Sequence, residues 1–282
     1  MLEQEEYIEQ AHFFRTLGER IPERVPIQDL LAQLRDEALS TTKLPMAIDF
    51  MLTELNHTGA VSGAMARLPH YFTPFQSYIF QQAEDERGRF DIRVAIAVLR
   101  FEAEYRSQDA TSQGMFFYQF ETLCRNRLSY DFGLQAMAGD LIYDEVWRDW
   151  ILATRKKLGM VDFADLLYVS SEHYLTRNRG QGESQVEAAQ PILFGEKEGK
   201  IALANRHKDP LFLFSALQRQ LSYPVVPRPQ PKDSASEIIP KMRRQLERLE
   251  TRVKLLEDEN RDGAFDITKF YQKPGAAPAA DD

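Results

Sequence analysis

The sequence predicts a mainly α-helical protein, with a multi-helix globular body, a small β-hairpin near residues 192–204 and a separate C-terminal coiled-coil helix. Three observations carry this expectation. From residue 1 to about 221, apolar residues recur at the spacing of buried helix faces, in segments bounded by capping residues. Residues 222–236, SYPVVPRPQPKDSAS, then concentrate prolines at 224, 227, 229 and 231. Beyond them Ile239, Met242, Leu246, Leu249, Val253, Leu256 and Asn260 step alternately by three and four, which is the seam of a heptad repeat.

In the first helix, Tyr7, Ala11, Phe14, Leu17 and Ile21 form the apolar stripe. Ile27, Leu30, Leu31, Leu34 and Ala38 mark the second, with Pro26 at its first turn. A third runs from about Pro45 to His57 and stops at Gly59, a residue suited to a left-handed helix end. Thr73-Pro74 opens the next, which fades at Gly88. Asp91 caps a helix with Ile92, Ala95, Ile96, Leu99 and Ala103 on one side and Val94, Val98, Phe101 and Tyr105 on the other. Two apolar faces mean burial on both, so this helix belongs at the centre. Met115 to Leu128 is similarly rich, with Phe116, Phe117, Tyr118 and Phe120 around most of the turn. Further helices are expected at about 134–155, from Asp162 to about 175, and from Asp209-Pro210 to Leu221. The segment Ile192 to Ala204, ILFGEKEGKIALA, reads as two apolar runs around a glycine-containing turn, hence the hairpin.

The domain division that follows is a helical body over 1–221, a proline-rich linker over 222–236, a coiled-coil helix over 237–262 and a disordered tail over 263–282. Proline fixes φ and removes donors, so the linker is expected to be an extended spacer. Pro240 confines the coil to about three heptads, the least at which the pattern carries meaning. Arg252 and Glu257 would flank the seam as interchain partners, and Asn260 would favour a two-stranded register. The alternative is a lone amphipathic helix packed back on the body.

Composition restricts the function classes. With 43% apolar and 28% charged residues the chain is ordinary globular material. A net charge of -8 argues against whole-surface binding to nucleic acid or anionic membranes. Residues 241–254 do carry six basic side chains against two acidic ones, read as the solvated flank of the coil. A single cysteine, Cys124, excludes an intrachain disulfide and a cysteine-rich zinc site. The opening MLEQEEYIEQ lacks the basic start and apolar run of a secretory leader, and the apolar stretch Ile92 to Leu99 contains Arg93 and is too short to span a bilayer. No membrane contact is expected, and the expected location is the cytoplasm.

Two Glu-x-x-His pairs, Glu9/His12 and Glu54/His57, evoke a di-iron carboxylate site, with Glu102 and Glu121 as lone carboxylates. Helical phase argues against it: Glu9 and His12 point away from the stripe of Tyr7, and His57 lies off the stripe of Ile48, Met51, Leu52 and Leu55. Gly195 to Lys200, GEKEGK, is one residue short of a phosphate loop and has Ile201 where a hydroxyl must bind magnesium. Neither a metal nor a cofactor is therefore expected. Cys124, beside Phe117 and Phe120, reads as a buried inert thiol. His70, Tyr71, Phe72, Phe75, Tyr78 and Phe80 read as core. Arg127, placed by helical phase in the stripe of Phe116, Phe120 and Leu123, and Glu102, on the edge of the central helix, form the candidate buried polar pair or ligand pocket. The functional expectation is a non-catalytic interaction or adaptor protein that meets a protein partner, itself or another chain, through the coiled coil. The alternative is a helical-bundle enzyme or small-ligand binder with its pocket at Glu102 and Arg127.

Overall fold

The structure, a computed structural model, describes residues 2–23, 25–85, 90–179 and 191–229, together with Arg243 and Val253. The chain divides into a unit over Met1–Pro229 and a second over Gln230–Asp282. The first unit's described residues are mainly helical, with almost no strand. Its described helices are α1 (Gln4–Arg20), α2 (Ile27–Glu37), α3 (Leu44–Thr58), α4 (Val61–Ala66), α5 (Pro74–Glu84), α6 (Ile92–Arg106) and α7 (Ser112–Arg125). They continue as α8 (Tyr130–Ala138), α9 (Glu145–Lys157), α10 (Phe163–Val169), α11 (Glu172–Arg179), α12 (Glu196–Ala204) and α13 (Pro210–Leu221). Among the described residues no helix is long and apolar enough to cross a membrane.

Local chemistry accounts for most boundaries. Thr73 and Gln76 form a reciprocal capping box at the start of α5, satisfying two otherwise orphaned N–H groups. The carboxylates of Asp91, Asp144, Asp162 and Asp209 accept from the first backbone N–H groups of α6, α9, α10 and α13. Gly59 closes α3 at φ 75°, a conformation costly for any residue with a Cβ.

α6 is the central helix, with α1 laid along it. Ala95, Ile96, Val98, Leu99 and Ala103 are buried, and Val94, Phe101 and Tyr105 pack from its other side. α7 is buried from Gly114 to Leu123. Its Phe116, Phe117 and Phe120 seed an aromatic cluster completed by Trp147, Trp150, Phe163, Phe194 and Phe214. Tyr71, Phe72, Phe75, Tyr78 and Phe80 are core, whereas His70 is exposed.

Three expectations need correction. The hairpin at 192–204 is absent: Phe194 makes only an isolated bridge with Ser171, and Glu196–Ala204 is α12. Of the two glycines in the expected turn, Gly199 is there for close approach, since a Cβ built on it would stand 2.3 Å from Ser171 Oγ. The helices expected at 134–155 and 162–175 are each two, broken at Gly139–Asp144 and at Ser170–Ser171. The body does not end at Leu221, and residues 222–229 are not a free spacer. Tyr223 and Val226 are buried on the body, and the Asn126 side chain donates to Pro227 O at 3.1 Å.

In the second unit the two described residues, Arg243 and Val253, are helical and exposed. The other seam positions, Ile239, Met242, Leu246, Leu249, Leu256 and Asn260, lie outside the described residues. So do Arg252, Glu257, the rest of the linker and the tail.

Candidate functional site

A polar cluster sits where α6, α7 and the α8–α9 turn meet. Glu102 and Arg106, four residues apart, share one face of α6. Arg106 Nη2 donates to Glu102 Oε1 at 2.7 Å and also to Asp140 Oδ2, while Nη1 reaches Asp140 Oδ1 at 3.3 Å. Gln119 on α7 donates to Glu102 Oε1 at 2.9 Å and to Asp140 Oδ2 at 3.2 Å. It accepts from the Tyr143 hydroxyl at 2.8 Å. The Arg106 and Asp140 side chains are each 1% exposed and that of Glu102 is 0% exposed. The guanidinium lies 6.0 Å from the Tyr7 ring centroid, and on that side Arg106 borders a shallow pocket of about 220 Å³.

One cation here serves two carboxylates. Burial pushes the Glu102 carboxyl up, and Asp140 adds to the rise while Arg106 opposes it. Burial also works against the Arg106 charge, but the two carboxylates more than restore it. Arg106 is thus held charged between the two carboxylates, while burial disfavours the charge on Glu102. Glu102 Oε2 and Arg106 Nε have no partner in the cluster. Nearly every other hydrogen-bonding atom of these groups is taken by another member. The cluster therefore acts as a buried fastening between α6, α7 and the α8–α9 turn.

Arg127 is not part of it. α7 ends at Arg125, and Arg127 takes φ 55° beyond the helix, exposed to solvent. Its N–H donates to Cys124 O at 3.3 Å and that of Leu128 to Leu123 O at 3.0 Å, the pattern of a Schellman termination. The buried partner of Glu102 is thus Arg106, one turn along the same helix. Glu121 likewise pairs with Arg125, its own fourth neighbour, and accepts from the Tyr223 hydroxyl at 2.7 Å. The signal for both was the Glu-x-x-x-Arg spacing on α6 and α7. Asp140 and Gln119 carried no such local signal.

The Glu-x-x-His pairs do not converge. His12 and His57 are exposed, Glu9 accepts from Leu39 N at 3.3 Å, and Glu54 pairs with Arg67 at 2.7 Å. Burial pushes the Cys124 thiol up to about 12, so it is protonated and unreactive at neutral pH.

An open groove of about 720 Å³ runs between α4, α5 and α8, lined among others by Phe72, Pro74, Tyr78, Gln81, Phe132 and Gln135. Among the described residues no charged side chain lines it. The Tyr78 hydroxyl donates to Ser129 O at 3.0 Å, and burial pushes it up to about 12. Phe132, 63% exposed, stands at its edge. The described wall supplies apolar area and neutral hydrogen-bonding groups. Comparison with protein-family models, with curated proteins and with solved structures found no match to this chain.

Proposed function

We propose that the chain is a non-catalytic interaction protein whose C-terminal heptad helix pairs it with a second chain, most simply another copy of itself. One observation carries this reading: Val253, a seam position, lies on helical backbone and is 52% exposed in the single chain. A repeat of Met242, Leu246, Leu249, Val253 and Leu256 left in water forgoes about 1.5–3 kcal/mol for each side chain able to bury fully. Pairing through a second helix recovers it, and flanking Arg252 and Glu257 favour a parallel pair. With about three heptads the association is weak, giving a monomer–dimer equilibrium rather than an obligate dimer.

The interlocked polar cluster, and a groove with no charged side chain among the described residues, support recognition over catalysis. Residence in the cytoplasm is part of the proposal and rests on the single cysteine, which asks nothing of an oxidising compartment. Sedimentation of the full chain across a wide concentration range tests the pairing. Mass action should drive it toward dimer, and Leu249→Pro should keep it monomeric.

A further inference from the structure

Residues 222–229 form a strap over α7 and α13 whose contacts have the character of peptide recognition. Ser222 leaves α13 at φ 54°, its N–H still bonded to Gln218 O at 2.8 Å. Burial then repeats every three residues. Tyr223 and Val226 are buried, Pro224 and Pro227 half-buried, Val225 and Arg228 exposed. Three residues per turn is the period of polyproline II, and the prolines hold φ at its value.

That conformation has no internal hydrogen bonds, so its carbonyls need donors from outside. The body supplies them: Asn126 Nδ2 donates to Pro227 O at 3.1 Å, and Gln218 Nε2 to Tyr223 O at 3.4 Å. Tyr223 stacks on Phe117, with centroids 6.4 Å apart and planes at 20°. Its hydroxyl donates to Glu121 Oε2 at 2.7 Å, with Phe214 O a second acceptor for the same proton at 3.1 Å. An aromatic platform, a hydrogen-bonded aromatic anchor and side-chain donors to the carbonyls are how proline-rich segments are read. Phe117 and Phe214 also pack against the rest of the aromatic cluster, so core packing holds them in place. The fit is incomplete. Asn126 Oδ1 is buried with no partner, beside a proline that has no N–H to give.

We propose that the α7–α13 groove is a receptor for proline-rich segments of the pattern Tyr-Pro-x-Val-Pro, held in the isolated chain by its own residues 223–227, so that a partner bearing such a segment competes with the strap. The inference is independent of the heptad pairing, because the groove lies wholly within the Met1–Pro229 unit.

The test is fluorescence polarisation of a labelled peptide, SYPVVPRPQ, titrated with the full chain and with Val226→Asp. The substitution loosens the strap and leaves the groove residues unchanged. A tethered competitor acts at roughly millimolar effective concentration, so the variant should bind the peptide at least about tenfold more tightly than the natural chain. A peptide with alanine in place of its tyrosine should lose that binding. Asn126→Ala combined with Val226→Asp should weaken it. Equal affinity of natural chain and variant, or no binding to either at millimolar concentration, would overturn the proposal. Should Val226→Asp not fold, as judged by its thermal transition, Val226→Ala carries the same expectation and the same overturning results. Leu249→Pro should leave every one of these affinities unchanged, which separates this site from self-association.

Discussion

Replacing Asp140 by alanine should be among the most damaging single changes to the polar cluster, and Glu102→Gln among the mildest. Asp140 gives Arg106 two contacts, accepts from Gln119 at 3.2 Å and takes the Ile142 N–H at 3.2 Å. Removing one partner of a buried ion pair costs about 3–5 kcal/mol. Glu102 remains beside Arg106 and compensates in part, yet it meets only Nη2. The lower end, about 3 kcal/mol, is therefore expected, or a melting temperature lower by about 6–12 °C for a domain of this size. Glu102→Gln retains an acceptor for Arg106 and Gln119 and should cost under about 1 kcal/mol.

The pH dependence separates them further. Burial raises the folded Glu102 above its unfolded value, so the folded state holds this proton more tightly. Its contribution is complete below the ordinary carboxylate range and is lost as pH rises through the raised folded value. Arg106, Asp140, Gln119 and Tyr143 are the polar groups in contact with it or one bond away. Glu102→Gln should therefore gain on the natural chain as pH rises. Thermal melts monitored by circular dichroism at several pH values suffice. Equal losses in the two variants, or a Glu102→Gln variant that loses ground at high pH, would refute this account of the cluster.

Gly199→Ala should destabilise by about 1–3 kcal/mol through overpacking, because the new Cβ meets Ser171 Oγ at 2.3 Å and His173 Cβ at 2.7 Å. At an exposed helix position the same change would stabilise by up to about 1 kcal/mol, so the sign of the shift in a urea titration decides. Tyr223→Phe should cost about 1–3 kcal/mol by removing the donor to Glu121. A double-mutant cycle with Glu121→Gln should show coupling, and strict additivity would show that the strap tyrosine acts by apolar contact alone.

The helix ends that depend on their own neighbours were legible in the sequence. Thr73, Asp91, Asp162 and Asp209 cap as their side chains dictate, and the double apolar face of residues 92–105 does mark the central helix. What was hidden depended on tertiary partners. The chain breaks between α8 and α9 where Asp140 turns inward to Arg106, although Gly139 and the capping Asp144 marked the place. Gly199 reads as a turn residue until Ser171 is known to lie against it. Arg127 falls in an apolar stripe only if the helical phase runs past Arg125, but the helix terminates there and the phase has no meaning beyond it. The strap was concealed by its prolines, which signal extension equally well for a free spacer and for a segment laid on a groove. The three-residue interval between Tyr223 and Val226 was the available clue.

The central claim, that the chain works by pairing through its C-terminal heptads, is tested most directly by sedimentation equilibrium of the intact protein from micromolar to near-millimolar concentration. The expected result is a reversible rise from monomer toward dimer mass. Leu249→Pro should abolish that rise while leaving the melting temperature of the Met1–Pro229 body unchanged, since proline within a helix costs about 3 kcal/mol and interrupts the seam. A monomer at every concentration would contradict self-pairing, and a dimer that survives Leu249→Pro would place the interface elsewhere.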